Sequence, residues 1–205
     1  MTATIGVGDG TGATEAVVVA AAVVGGVAVV GLVAIDVEGV GAVVVRDLAT
    51  GDEQTFTDPA YDESPVFGDV TWSRDGTKLY YPWERQASGG TGAGSALVEL
   101  TVTPGATPRV VTEVADASLS SPLAWDDGQT ISVLLHPRQP NGSAGPQDGE
   151  LLVDPTTGET GQTTLGGLLD RSVNRTSGQQ LLVRSDGHLV IGAADLGTGY
   201  ALAAW

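Results

Sequence analysis

The chain has 205 residues, of which 30 are glycine and 10 proline, and its 25 acidic side chains against 9 basic ones give a net charge of −16. Such a field repels phosphate backbones, so nucleic acid is excluded as a partner and anionic lipid surfaces are poor electrostatic docking sites. Cysteine is absent, which removes disulfides, a thiol nucleophile and thiolate metal sites.

Residues 1–15 are polar and Gly-rich and are expected to form a disordered tail. The stretch Gly6 to Gly12 has neither the Gly-x-Gly-x-x-Gly spacing nor the lysine of a phosphate-binding loop. Residues 16–35 then run for 20 positions without one polar side chain. As a helix this run would span about 30 Å, the hydrocarbon thickness of a bilayer, so a single transmembrane helix is expected. A second reading stays open. Counting back fifty residues from Gly76 reaches Gly26, which would make the same run buried strands of a first repeat unit. Membrane orientation has little to rest on, because every basic residue lies at or beyond Arg46.

From residue 37 to 205 the chain repeats itself. A glycine followed three residues later by an apolar strand occurs at Gly76-x-x-Leu79, Gly128-x-x-Ile131 and Gly178-x-x-Leu181, spacings of 52 and 50 residues. Periods of this length mark stacked supersecondary units, and the Val, Leu and Thr content makes those units strands. A second phrase follows the same period, with Asp47-x-x-x-Gly51 matched by Asp154-x-x-x-Gly158. Asp bonds its own downstream backbone and Gly accepts positive φ, so these positions are hairpin turns rather than ligands.

Ahead of the glycine step stand Trp72, in Trp-Ser-Arg-Asp-Gly, and Trp125, in Trp-Asp-Asp-Gly, and the two rings are expected at matching places on successive sheets. In these residues the chain resembles the TolB-type, WD-like β-propeller repeats, whose hallmark is a Trp-Ser-x-Asp-Gly-x-x-Leu strand and turn. The resemblance covers about residues 37 to 205 and is closest around Trp72. It implies an all-β propeller, partial or small, of three to four blades, facing the envelope on the extracytoplasmic side of a single-pass membrane anchor. Rings of that type are larger, so the chain resembles either the C-terminal part of one or an atypically small ring.

Strands are expected near 42–46, 53–57, 68–73, 77–82, 96–102, 108–113, 122–125, 130–135, 149–153, 160–165, 180–184, 188–192 and 200–204. The last of these, ending at Trp205, would open one more blade. Two longer loops, Glu84 to Gly94 and His136 to Asp148, join second to third strands and are places for binding specificity.

No catalytic, cofactor-binding or metal-ligating residue is assigned. There is no Gly-x-Ser-x-Gly elbow. His136 precedes Pro137 and His188 sits at a hairpin, and both are expected as loop residues without further zinc ligands at local spacing. Asp58, Asp62 and Glu63, and the pair Asp126 and Asp127, lack the calcium-loop spacing and are expected as solvated turn residues. Asn141 and Asn174 head glycosylation sequons, a pattern common by chance. The expectation is therefore a non-catalytic, membrane-tethered module that binds a protein or glycan partner, self-associating through open blade edges. The alternatives are the gating propeller of a serine peptidase or the sensor domain of a membrane protein.

Overall fold

The computed structural model describes residues 2–4, 17–24, 27–35, 41–47, 50–57, 70–85, 94–125, 127–139, 145, 147–174, 177, 179–192 and 194–200. These carry sixteen strands and, among them, no helix. β1 (Thr2–Thr4), β2 (Val17–Val24), β3 (Val27–Ile35), β4 (Gly41–Asp47) and β5 (Glu53–Thr57) form one antiparallel sheet in chain order. A second sheet runs β6 (Thr71–Trp72), β7 (Lys78–Arg85), β8 (Gly94–Thr101) and β9 (Arg109–Ala115). The third contains β10 (Ala117–Ala124), β11 (Ile131–Pro137), β12 (Gln147–Val153), β13 (Thr160–Val173), β14 (Gln180–Arg184), β15 (Leu189–Ile191) and β16 (Ala194–Asp195).

The seven-stranded sheet is two meanders sharing one long strand. The first half of β13 pairs with β12 from Val153↔Thr160 to Gly149↔Thr164, while its second half pairs with β14 from Asp170↔Val183 to Val173↔Gln180. Both registers slip near Leu168, beside Gly167 at φ +75°. A slipped register with a left-handed glycine bends a strand out of one plane into another. Four meanders of four strands therefore follow one another: β2–β5, β6–β9, β10 to the first half of β13, and the second half of β13 to β16.

Successive meanders stack face to face, because each strand alternates its side chains between two apolar partners. Val43, Val45 and Phe56 of the first pack with Val70, Trp72, Leu79 and Tyr81 of the second. On its other face the second meander places Tyr80, Leu97 and Val111 against Leu119, Ile131 and Val133 of the third. Chain-order meanders stacked in this way give an all-β, propeller-like architecture.

The two Asp-x-x-x-Gly phrases are turns, closed by the same bonds. Gly51 N donates to Asp47 O at 2.7 Å and Gly158 N to Asp154 O at 2.8 Å. The aspartate Oδ1 takes Thr50 N in the first turn and Thr156 N and Thr157 N in the second. Both glycines have φ near +75°, at +79° and +75°.

Several expectations are corrected. The apolar run 16–35 supplies the hairpin strands β2 and β3 rather than a helix, and no described helix is long and apolar enough to cross a membrane. Val dominates the run, and its β-branched side chains favour an extended backbone once another sheet can cover them. Within the expected disordered tail, residues 2–4 form β1 along β2, and the remainder of 1–15 lies outside the described residues. β10 begins at Ala117 rather than near 122, β13 runs on to Val173, and β16 was not anticipated. Tyr200 is not in a strand, and residues 201–205 lie outside the described set.

The matching-tryptophan expectation also fails by one residue. The turn bond Ser73 N to Lys78 O, 2.8 Å, corresponds to Trp125 N to Thr130 O, 2.9 Å, and to Asn174 N to Gln179 O, 2.9 Å. Leu79 pairs with Trp72 and Ile131 with Ala124, so Ala124 holds the place of Trp72 and Trp125 the place of Ser73. Trp72 is buried at 3 % exposure, whereas Trp125 is half-buried. The turn locks the glycine, and the ring four residues before Gly76 has its counterpart only three before Gly128. In the third copy the same register puts Ser177 where Gly76 and Gly128 stand, and Gly178 lies outside the described residues.

Candidate functional site on the third meander

The face of the third meander that looks away from the second is polar along much of its length. Leu119, opposite Leu135, points to the second meander. Strand alternation therefore turns Ser118, Ser120, Ser132, Leu134, His136 and Glu150 the other way.

At the middle of this face lies a buried charge cluster. Arg171 Nη1 stands 2.6 Å from Glu150 Oε1, with side-chain exposures of 4 % and 5 %. Ser132 donates its hydroxyl to Glu150 and accepts from Arg171 Nη1. Gln180 Nε2 donates to both Glu150 oxygens at 3.0 and 3.2 Å, and Arg171 Nη2 donates to Ser121 O at 2.9 Å. Burial draws the Arg171 pKa down, and Glu150 works against that shift by charge and hydrogen bonding. The cluster crosses the seam between third and fourth meanders. In the register of the turns, Ser132 and Glu150 hold the places that Tyr80 and Leu97 hold at the preceding, apolar seam.

The preceding seam also holds a buried carboxylate, Glu99, but its cationic partners Lys78 and Arg109 are half-exposed rather than buried. Glu99 meets Lys78 Nζ at 3.0 Å, Tyr80 Oη at 3.1 Å and Arg109 Nη2 at 3.2 Å. Arg109 Nη2 also reaches Pro155 O of the next meander at 2.7 Å. Burial acts to raise the Glu99 pKa, but hydrogen bonds and charge from Lys78 and Arg109 outweigh it and hold the carboxyl below its ordinary range. Burial first, then the charge of Glu99, pushes the Tyr80 phenol upward, so it stays a donor.

His136 stands near the end of β11, opposite Ser118, and Ser120 lies diagonally across from it, two residues farther into β10. Ser120 Oγ lies 2.7 Å from His136 Nε2, and His136 Nδ1 lies 3.1 Å from Gly145 O. A carbonyl only accepts, so Nδ1 carries the proton of the neutral ring and Nε2 accepts from the serine hydroxyl. Gly145 is pinned to the strand end, its N donating to Pro137 O at 2.7 Å. A Cβ there would meet that oxygen at 2.7 Å, which excludes any other residue without a shift. Ser121, next to Ser120, has φ +46° and sits in the register shift between Ser120 and Leu123. Non-glycine residues held there cost of order 1–3 kcal/mol.

His136 is thus a strand residue, not the loop residue expected, while His188 is in the expected turn between β14 and β15 and pairs with Asp195 at 2.7 Å. Asp127 is in its expected turn role, accepting Gln129 N and Thr130 N. Asp58, Asp62, Glu63, Asp126 and Asn141 lie outside the described residues. No group of three or more His, Asp or Glu able to hold a metal occurs among the described residues. Sequence reasoning missed Ser120, Glu150, Arg171 and Gln180. They lie 16 to 50 positions from their partners, and only strand register joins them.

No protein-family model and no curated protein matches the chain. Among solved structures it is similar to the major allergen Mala s 1 of Malassezia sympodialis, with TM-score 0.53 and 10 % identity over 86 % of this chain and 58 % of that one. Tricorn protease aligns with TM-score 0.41 at 13 % identity, over 87 % of this chain and 25 % of the protease. An apocarotenoid oxygenase variant from Synechocystis aligns with TM-score 0.45 at 9 % identity, over 92 % and 59 %. The chain spans 58 % of the allergen's length, and at 10 % identity that likeness shows the fold alone.

Proposed function

We propose that this chain is a binding or scaffold module on a TolB-type propeller, holding a protein or glycan partner at one rim. The observation that supports the reading is topological. The connections Arg85 to Gly94 and Pro137 to Gln147 both join second to third strands of neighbouring meanders, and those meanders stack face to face. Two of the longest connections therefore leave the same edge of adjacent sheets, where rigid strands present variable loops. The scaffold beneath is built to hold still, with Tyr81, Trp83, Leu97 and Val133 essentially inaccessible to solvent. The net charge of −16 favours a neutral or basic partner surface.

An envelope location is proposed with this role, on the family resemblance, and fractionation of cells expressing the full chain tests it. The binding role is tested by screening immobilised protein against glycan and peptide arrays, alongside variants shortened across 86–93 or 140–144. The expected result is a ligand whose binding is lost in at least one shortened variant that keeps its strand circular dichroism. Binding indifferent to both loops, or no binding above a scrambled-sequence control, overturns it.

A further inference from the structure

We propose that Ser120 is an activated nucleophile that accepts the acyl group of an ester, with His136 as its general base. This goes beyond the binding role: it adds chemistry on the third meander and does not depend on which partner the loops hold.

The geometry supplies the nucleophile, base and orienting group of an activated serine in order. Ser120 Oγ is within hydrogen-bond reach of His136 Nε2, at 2.7 Å. The base is oriented by a third group, Gly145 O at 3.1 Å from Nδ1, which fixes the tautomer that leaves Nε2 free to take a proton. That carbonyl is itself held by the Gly145 N to Pro137 O bond in a loop where only glycine fits. Both side chains are half-buried, so they are neither sealed in the core nor fully solvated. The backbone is strained immediately after the nucleophile, at Ser121 with φ +46°.

The step balances. Ser120 Oγ attacks the ester carbonyl carbon as its proton passes to His136 Nε2. The new C–Oγ bond forms, the bond from carbonyl carbon to leaving-group oxygen breaks, and the proton on Nε2 goes to the departing alkoxide. The products are acyl-Ser120, an alcohol and neutral His136. Water entering by the same route, with His136 again as base, returns the free serine and a carboxylic acid.

The test is acetylation of the folded chain by p-nitrophenyl acetate, with the modified residues mapped by peptide mass spectrometry over time. Ser120 is expected to react about 10²–10⁴-fold faster than exposed Ser185, the range general-base assistance supplies. That excess should fall to the Ser185 level in His136→Gln and in wild-type protein unfolded in urea. Ser120→Ala should remove the fast adduct without changing the strand spectrum. Reaction of Ser120 no faster than Ser185 in the folded wild type overturns the proposal whatever the variants do, as does an unchanged rate in folded His136→Gln.

Discussion

Glu150 and Arg171 meet at 2.6 Å across the seam between the third and fourth meanders, each side chain about one-twentieth exposed, at a level of the stack where the preceding seam holds Tyr80 and Leu97. A buried pair of this kind repays its desolvation only while both partners and their hydrogen bonds are present. It also rewards only one docking of the fourth meander on the third, because a slipped register would leave a buried charge alone.

Removing one partner should therefore cost more than removing all. Glu150→Leu alone is expected to destabilise by about 3–5 kcal/mol, since Arg171 is left buried and unpaired. Glu150→Leu with Arg171→Met and Gln180→Leu, which puts at position 150 the side chain that Leu97 has at the preceding seam, should recover most of that loss. Urea denaturation of the single and triple variants checks this, and a triple variant less stable than the single would show that the cluster stabilises outright.

Gly158 and Gly105 have almost the same backbone, at φ +75° and +76°, but different surroundings. A Cβ on Gly158 would meet Val111 O at 2.6 Å, while one on Gly105 meets nothing within 4 Å. Gly105→Ala should cost about 1–2 kcal/mol, the left-handed penalty by itself. Gly158→Ala must add to this the displacement of its turn from β9, so its melting temperature should fall clearly further. Equal losses would mean the turn does not pack on the second meander.

Trp72 and Trp125 look alike in sequence and should behave differently. Trp72→Ala empties a buried site and is expected to cost about 3–5 kcal/mol. Trp125, in the place of Ser73, is half-buried and should cost well under that. Chemical denaturation of the two variants side by side measures the difference, and a larger loss at Trp125 would reverse the register assigned here.

The turn aspartates make stability depend on acid. A hydrogen bond from Ser73, then Thr77 N, lowers the Asp75 pKa; at Asp127 the bonds from Gln129 N and Thr130 outweigh a burial effect of opposite sign; and Thr156 N, then Thr157 N, lowers Asp154. A carboxylate with a depressed folded pKa contributes in full above its unfolded value of about 3.9, and the contribution fades as pH falls through the folded pKa. Protonation also relieves repulsion within a chain of net charge −16, which works in the opposite direction. The quantity to read is thus the difference between wild type and Asp75→Asn/Asp127→Asn/Asp154→Asn, in which the acceptor oxygen stays and the titration goes. Between about pH 5 and 3 the wild-type urea midpoint should drop more than the variant's, and parallel profiles would remove the turns from the acid response.

What the chain revealed unaided was local. Asp47 to Gly51 and Asp154 to Gly158 were legible as turns because Asp and Gly act on the backbone within five residues. The strands at 53–57 and 180–184 were legible because alternation and β-branching are local too. The apolar run 16–35 was ambiguous for a physical reason: a continuous hydrophobic segment suits lipid as a helix and a sheet stack as strands, and only the availability of neighbouring sheets separates the two. The tertiary structure alone decided that Ala124 stands where Trp72 does, that β13 serves two meanders, and that Glu150, Arg171 and Gln180 converge at one seam. It also brought Ser120 to His136. Strand register and face-to-face stacking bring such residues together from far along the chain, and no local preference of the residues themselves encodes that pairing.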